Sequence, residues 1–353
     1  MLNLPSELQT MVSKNMDLDT LRNTRLSRRT LGDAGKVAMQ HYYHTITIGL
    51  GYRDNARLDR LTNGTVTFGG LSNYVHTLRI NLSPDLTRGV AQAARYAPIV
   101  ALFTGLTSLI VDTHGASYTP LSHDQTPITQ DAQTCLRNIT AQLGIQSLRS
   151  LCLAGGGSVF ETSSIWCYNL GFDLVSTTPH LGNALVNFTS LTLTLDHEFY
   201  NAKRPVALKD LLSGTPNLEL LALGTLYADD ESPFLEAVMM HTTLSRLSRL
   251  TLTYLLTRVE HVEAFIFRHQ STSRHLHLDV HFLDTGITVK RIWIAIWGPL
   301  ALDKLYFMTD WDLGDADEVL QDPRYDIKHE YSGRKTIKDE ANRVLLDYHS
   351  GEV

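Results

Sequence analysis

The chain has 353 residues, too many for one ordinary core, so one large or two unequal domains are expected. Hydrophobic residues make up 43% and charged residues 19%, a globular composition that excludes charge-driven disorder over most of the length. The 31 basic and 37 acidic residues leave a formal charge of −6, which argues against a dedicated nucleic-acid binder, because phosphate contacts need a basic surplus.

At the N-terminus, Met1 to Leu8 carries an early acid, Glu7, and lacks the basic and apolar regions of a signal peptide. Pro5 precedes a helical stretch in which Leu8, Met11 and Val12 share a face. Asp19 is placed to cap a second helix through Leu21, and Leu26 and Leu31 continue the apolar face among Arg22, Arg25, Arg28 and Arg29. A unit of this size, residues 1–45, buries little by itself and must lean on a neighbour or a partner.

Further along, one pattern returns: an apolar residue, two others, Leu, one other, then an apolar residue. It reads Val75–Ile80, Leu106–Val111, Leu148–Leu153, Phe188–Leu193, Leu218–Leu223, Leu247–Leu252 and Leu302–Phe307, with a weaker copy ending Leu276-His277-Leu278. The central leucines fall at 78, 109, 151, 191, 221, 250, 276 and 305, so successive spacings are 31, 42, 40, 30, 29, 26 and 29. Period-two alternation predicts a short strand with one buried face in each copy. Helical spacing lies between them, as in Phe234–Met240 and in Val259, Val262, Phe265 and Ile266. A strand and helix of this kind bury their leucines only by stacking on the next copy. The pattern resembles a leucine-rich-repeat solenoid over roughly residues 66 to 320, although the Asn or Cys that usually follows the strand is missing in most copies. The fold class expected is α/β, with about eight strand–helix repeats in a horseshoe over 46–320 and a small all-α module before it. A doubly wound α/β domain, whose buried strands also read as leucine runs, is the alternative.

The N-terminal module resembles the F-box. The likeness is carried by Leu4-Pro5, Glu7-Leu8, Val12, Met16 and the stretch Asp19 to Arg29, with His41–Ile48 similar to the strand that follows the module in fungal members. The resemblance implies docking on a Skp-family adaptor of cullin–RING ubiquitin ligases through Leu4, Pro5, Leu8, Val12 and Leu26, while the repeats hold a protein substrate. The runner-up is a leucine-rich-repeat scaffold whose N-terminal helices only cap the solenoid, with no ligase role.

In a solenoid the residues between the leucines face partners. Those positions are mostly small and neutral in the early copies apart from Arg79, while the late ones carry Arg249, His275, His277, Lys304 and Tyr306, charged or titratable, with Thr251 among them. Arg, His and Tyr make better interface anchors than Ser and Thr, which favours the C-terminal half for the substrate. His275, His277, Asp279 and His281 share one strand face, but residues two apart on a strand sit about 6.5 Å from one another, too far for three or four to reach one metal ion. Asp310–Glu318 fails the calcium-loop pattern, because Gly314 and Asp315 stand where an oxygen ligand and glycine are required. Gly155-Gly156-Gly157 lacks the rest of a phosphate-binding motif. No nucleophile, base and acid converge in a recognised motif, so neither an enzyme nor a cofactor is expected; an α/β enzyme with an unrecognised site is the third reading. Residues 321–353 read as a polar tail or cap, with a helix over Thr336–Tyr348 turning Ile337, Val344 and Leu345 inward. Three spaced cysteines, Cys135, Cys152 and Cys167, and no apolar run of spanning length point to a cytoplasmic or nuclear protein with no membrane partner.

Overall fold

The computed structural model describes residues 44–49, 75–81, 103, 105–112, 148–154, 182–195, 203–225, 238–240, 242–282, 288–297, 300–308 and 329–350. Leu4, Pro5, Leu8, Val12 and Leu26 of the N-terminal module lie outside them, as do Asp310–Glu318 and Gly155–Gly157.

Ten strands form one sheet: β1 Thr45–Gly49, β2 Thr77–Asn81, β3 Ser108–Asp112, β4 Ser150–Ala154, β5 Ser190–Leu195, β6 Leu220–Thr225, β7 Arg249–Thr257, β8 His275–Phe282, β9 Lys304–Met308 and β10 His329–Ser332. Their order in the sheet is their order in the chain, from β1 at one edge to β10 at the other, so the sheet is open. Every pair from β1 to β9 is parallel, and β10 runs antiparallel to β9. A doubly wound domain reverses its strand order at a switch point; this sheet has no such reversal. The fold is α/β with a mostly parallel sheet, compatible with a solenoid. All eight copies of the sequence pattern are strands, and Thr45–Gly49 adds β1 ahead of them.

Registers explain why the copies match. The central leucines 78, 109, 151, 191, 221, 250, 276 and 305 are direct partners from strand to strand, and none is more than 3% exposed. Ile80, Leu193, Leu223, Leu252, Leu278 and Phe307 form a second buried row. Each such side chain contributes about 1.5–3 kcal/mol when taken from water, which makes the leucine face the main source of cohesion. Residue 273, the position that opens the weak copy, is a buried serine in place of the apolar residue found elsewhere.

A backbone device repeats at the entry to each strand from β2 to β9. Two consecutive amides donate to one carbonyl of the preceding repeat: His76 and Thr77 to His44, Thr107 and Ser108 to His76, Arg149 and Ser150 to Thr107, Thr189 and Ser190 to Arg149, and Glu219 and Leu220 to Thr189. Ser248 and Arg249 to Glu219, Arg274 and His275 to Ser248, and Asp303 and Lys304 to Arg274 complete the series, all at 2.7–3.2 Å. Since the bonds use only main-chain atoms, they tolerate His, Thr, Arg, Glu or Ser at the shared position. Asp303 in turn accepts from Gly333 N–H at 2.8 Å.

Four helices are described: α1 Lys203–Ser213, α2 Val259–Arg268, α3 Thr288–Trp297 and α4 Arg334–Ser350. Helix α2 has Glu260 in its first turn and Arg268 in its last, matching the helix dipole. It buries Val259, Val262, Phe265 and Ile266, the residues whose spacing predicted it. Leu208, Leu211 and Leu212 of α1 and Ile292, Ala295 and Ile296 of α3 join the same apolar cluster as the strand leucines. Arg291 of α3 reaches both Glu263 and Glu260 (the latter at 3.6 Å) of α2. After β10, Gly333 takes φ +92°, a backbone state that glycine adopts without a Cβ penalty. Helix α4 follows, spanning the helix expected at 336–348, and it seats Ile337 and Ala341 in the core.

Candidate partner-binding face

The face opposite the leucines carries rows of side chains that run across the strands. The first row reads Thr77, Ser108, Ser150, Ser190, Leu220, Arg249, His275 and Lys304, and β10 adds Ser332 beside Lys304. The second reads Arg79, Ile110, Cys152, Thr192, Ala222, Thr251, His277 and Tyr306, with Glu330 in register with Tyr306. The third row includes Gly224, Thr253 and Asp279. Adjacent strands lie about 4.8 Å apart, so side chains of one row are neighbours although the chain separates them by whole repeats.

All seven residues expected to meet a substrate lie in the two rows, six of them together on β7, β8 and β9. Arg249, His275 and Lys304 are consecutive in the first, with Arg249 and Lys304 exposed and His275 half-buried. His277 and Tyr306 are consecutive in the second, where their rings stack at a centroid distance of 4.0 Å and 26°. Arg79 lies five strands from Arg249 in sheet order and belongs to a separate region of the face. Thr251 departs from expectation: it is only 7% exposed, hemmed between Ala222 and His277 in its row, and offers a partner little surface. Ala222 and Thr192 are likewise buried, so the middle of the second row is closed where the outer row is open.

Electrostatics mark the first row as cationic. The His275 imidazole is held below its ordinary range, first by partial burial and then by the positive charges of Arg249 and Lys304 on either side, with Asp303 pulling the other way. Asp303 is itself engaged by Arg334 at 2.8 Å. The row from Arg249 to Lys304 contains no carboxylate. Asp279 stands two positions along β8, in the third row.

A second histidine is structural. His269, 2% exposed just after α2, accepts a hydrogen bond from Leu244 N–H at Nε2 (2.8 Å), and its Nδ1–H donates to Phe265 O (2.8 Å). Beside it Arg268 donates to the carbonyls of Met239 (2.6 Å), Thr242 (3.1 Å) and Met240 (2.6 Å). The two side chains satisfy the backbone of the helical residues Met239 and Met240 and of the segment from Thr242 to Leu244 that leads towards β7. They carry no leucine-type signal, and the sequence patterns passed over them.

Among the described residues, no three His, Cys, Asp or Glu side chains converge on a point where a metal ion would sit, and no described helix is long and apolar enough to cross a membrane. His275, His277 and Asp279 follow one another along β8, one in each of the three rows. No protein-family model matches the chain, and no curated protein matches it.

Proposed function

We propose that the chain is a non-catalytic substrate-recognition subunit of a Skp–cullin–F-box type ubiquitin ligase, with residues 1–45 docking the adaptor and a leucine-rich-repeat horseshoe holding a protein substrate. The observation that carries the reading is the in-register stack of eight repeat strands, which turns the leucines inward and presents two rows on the other face that become polar and charged over β7 to β9. Such a surface is assembled from many repeats across the sheet, which suits a protein segment. The Leu4-Pro5 module ahead of it supplies the adaptor half of the argument by its likeness to the F-box.

The test is calorimetric titration of the full chain with a purified Skp-family adaptor. Saturable binding is expected, weakened at least tenfold by Leu4→Ala combined with Pro5→Ala. No binding, or equal binding by the variant, sinks the adaptor assignment.

The scaffold reading draws on a different observation: β1 is the edge of the sheet, with no described strand beyond it. An exposed edge invites covering, and N-terminal helices acting only as a cap would do this. On that reading, removing residues 1–43 lowers the melting temperature strongly with no adaptor present, while adaptor binding is never seen.

A further inference from the structure

We propose that the Arg249–His275–Lys304 row is a docking site for an acidic peptide segment, one whose glutamate or aspartate carboxylates lie across β7, β8 and β9. The inference rests on the reading of this face as the partner-binding one and names the chemistry of the partner.

Three observations meet here. First, the row places two permanent cations and one titratable group on adjacent strands, about 4.8 Å apart. A peptide crossing the strands in extended form offers same-side carboxylates about 6.5–7 Å apart, so two of them can span the three basic groups. Second, the chain carries a formal charge of −6, and a carboxylate-free cationic row on such a molecule is a local feature that favours anions at that place. Third, the neighbouring row supplies the stacked His277–Tyr306 pair, a flat surface for the apolar part of the same segment. Charge complementarity sets the occupant, since a basic or neutral segment would leave Arg249 and Lys304 without counter-charge.

The titratable and charged groups around His275 are Arg249 from β7, Lys304 and Tyr306 from β9, Asp303 just ahead of β9, and His277 and Asp279 further along its own strand face; Ser332 of β10 lies beyond Lys304. Arg249 and Lys304 disfavour the imidazolium and Asp303 favours it. A carboxylate seated in the row adds negative charge next to His275 and raises its proton affinity. Binding therefore takes up a proton, and affinity increases as pH falls into the range where His275 titrates. The peptide's own carboxylates, ordinarily titrating near about 4.3, stay ionised through this range.

The test uses the full chain and a fluorescein-labelled octaglutamate peptide, followed by fluorescence anisotropy at pH 7.5 and pH 5.5 and at two salt concentrations. Saturable binding is expected, weaker at high salt and at least threefold tighter at pH 5.5, with none for octaglutamine. Arg249→Gln with Lys304→Gln should weaken it at least tenfold at both pH values, with an unchanged circular dichroism spectrum. His275→Gln should stay within twofold of wild type at pH 7.5 and lose the pH dependence. Absent binding, wild-type affinity in the Arg249/Lys304 variant, or a pH dependence that survives His275→Gln overturns the proposal. A phosphoserine peptide of equal net charge that binds tenfold tighter than octaglutamate overturns the carboxylate assignment in favour of phosphate. A chain that binds the Skp-family adaptor but not octaglutamate loses this inference and keeps the ligase reading; the opposite pattern does the reverse.

Discussion

His269 should make the protein acid-labile by a route that a single substitution can expose. Its ring is buried and fixed as the Nδ1–H tautomer: Nδ1–H donates to Phe265 O, which leaves Nε2 as the acceptor for Leu244 N–H. A proton arriving at Nε2 would face an N–H donor 2.8 Å away, so the imidazolium forms only if that bond breaks. Burial is the first cause that holds the group below its ordinary range; the Arg268 charge acts the same way, and the Phe265 carbonyl opposes both. With the folded value depressed, the unfolded chain binds the proton first as pH falls. The contribution of His269 is thus complete above about pH 6.5 and shrinks as pH drops towards the folded value, with a slope of at most about 1.4 kcal/mol per pH unit. Replacing His269 by Ala removes both hydrogen bonds, strands the Leu244 amide and leaves a cavity. An orphaned buried donor costs about 1–3 kcal/mol, and the void adds to it, so a loss of about 3 kcal/mol at pH 7.5 is expected. Urea denaturation of wild type and His269→Ala from pH 5 to pH 8 gives both numbers. The difference curve isolates His269 from the other histidines, and the gap between the two proteins should narrow as pH falls. A gap that stays constant with pH, or a cost below about 0.5 kcal/mol at pH 7.5, would refute the argument.

Two further substitutions probe the packing between repeats. A Cβ at Gly224 would lie 2.6 Å from Thr253 Oγ1 and 3.3 Å from Thr253 O, so Gly224→Ala should destabilise by about 1–3 kcal/mol. Thr253→Ala removes the nearer clash, and the double variant should be more stable than the sum of the single losses by at least about 0.5 kcal/mol in a double-mutant cycle. Arg268→Lys keeps the charge but cannot hold three carbonyls with one planar fork. It should cost about 1.5–3 kcal/mol and speed amide hydrogen exchange in residues 242–247, ahead of β7; unchanged exchange there would show that the fork does not hold the loop.

How much was legible in the sequence depends on whether the deciding contacts were local. The eight strands were, because alternation of leucine with small residues is visible within six positions and the leucine face needs nothing else to specify it. Helix α2 was, because Val259, Val262, Phe265 and Ile266 already lie at helical spacing. Strand β10 was not: His-Glu-Tyr-Ser has no leucine pair, and it becomes a strand by pairing with β9. Nor were Arg268 and His269, whose partners lie 25 to 29 residues back at Leu244 and Met239. The closed state of Thr251 follows from Ala222 and His277 on other strands, and no property of its own segment announces it.

The unequal spacing of the repeats, from 26 to 42 residues between central leucines, would be expected to spoil the rows, yet register holds at the start of every parallel pair, and the one shift, between Thr253 and Leu255 of β7, comes after the central leucines have met. The reason lies at the strand entries. Each pair of amides finds the one carbonyl of the preceding repeat that sits two residues before its central leucine, and the leucine then meets the preceding leucine. Both conditions are set at the start of the strand. Extra residues must therefore be accommodated after a strand and before the next entry, where they change no pairing. A polar row is then the column obtained by writing the repeats beneath one another at their central leucines. Arg249, His275 and Lys304 stand 26 and 29 residues apart in the chain and fall in one such column, each one residue before its leucine. The chemistry of the face is distributed over the sequence at repeat length, and the leucines that seem only to fill the core are what bring it together.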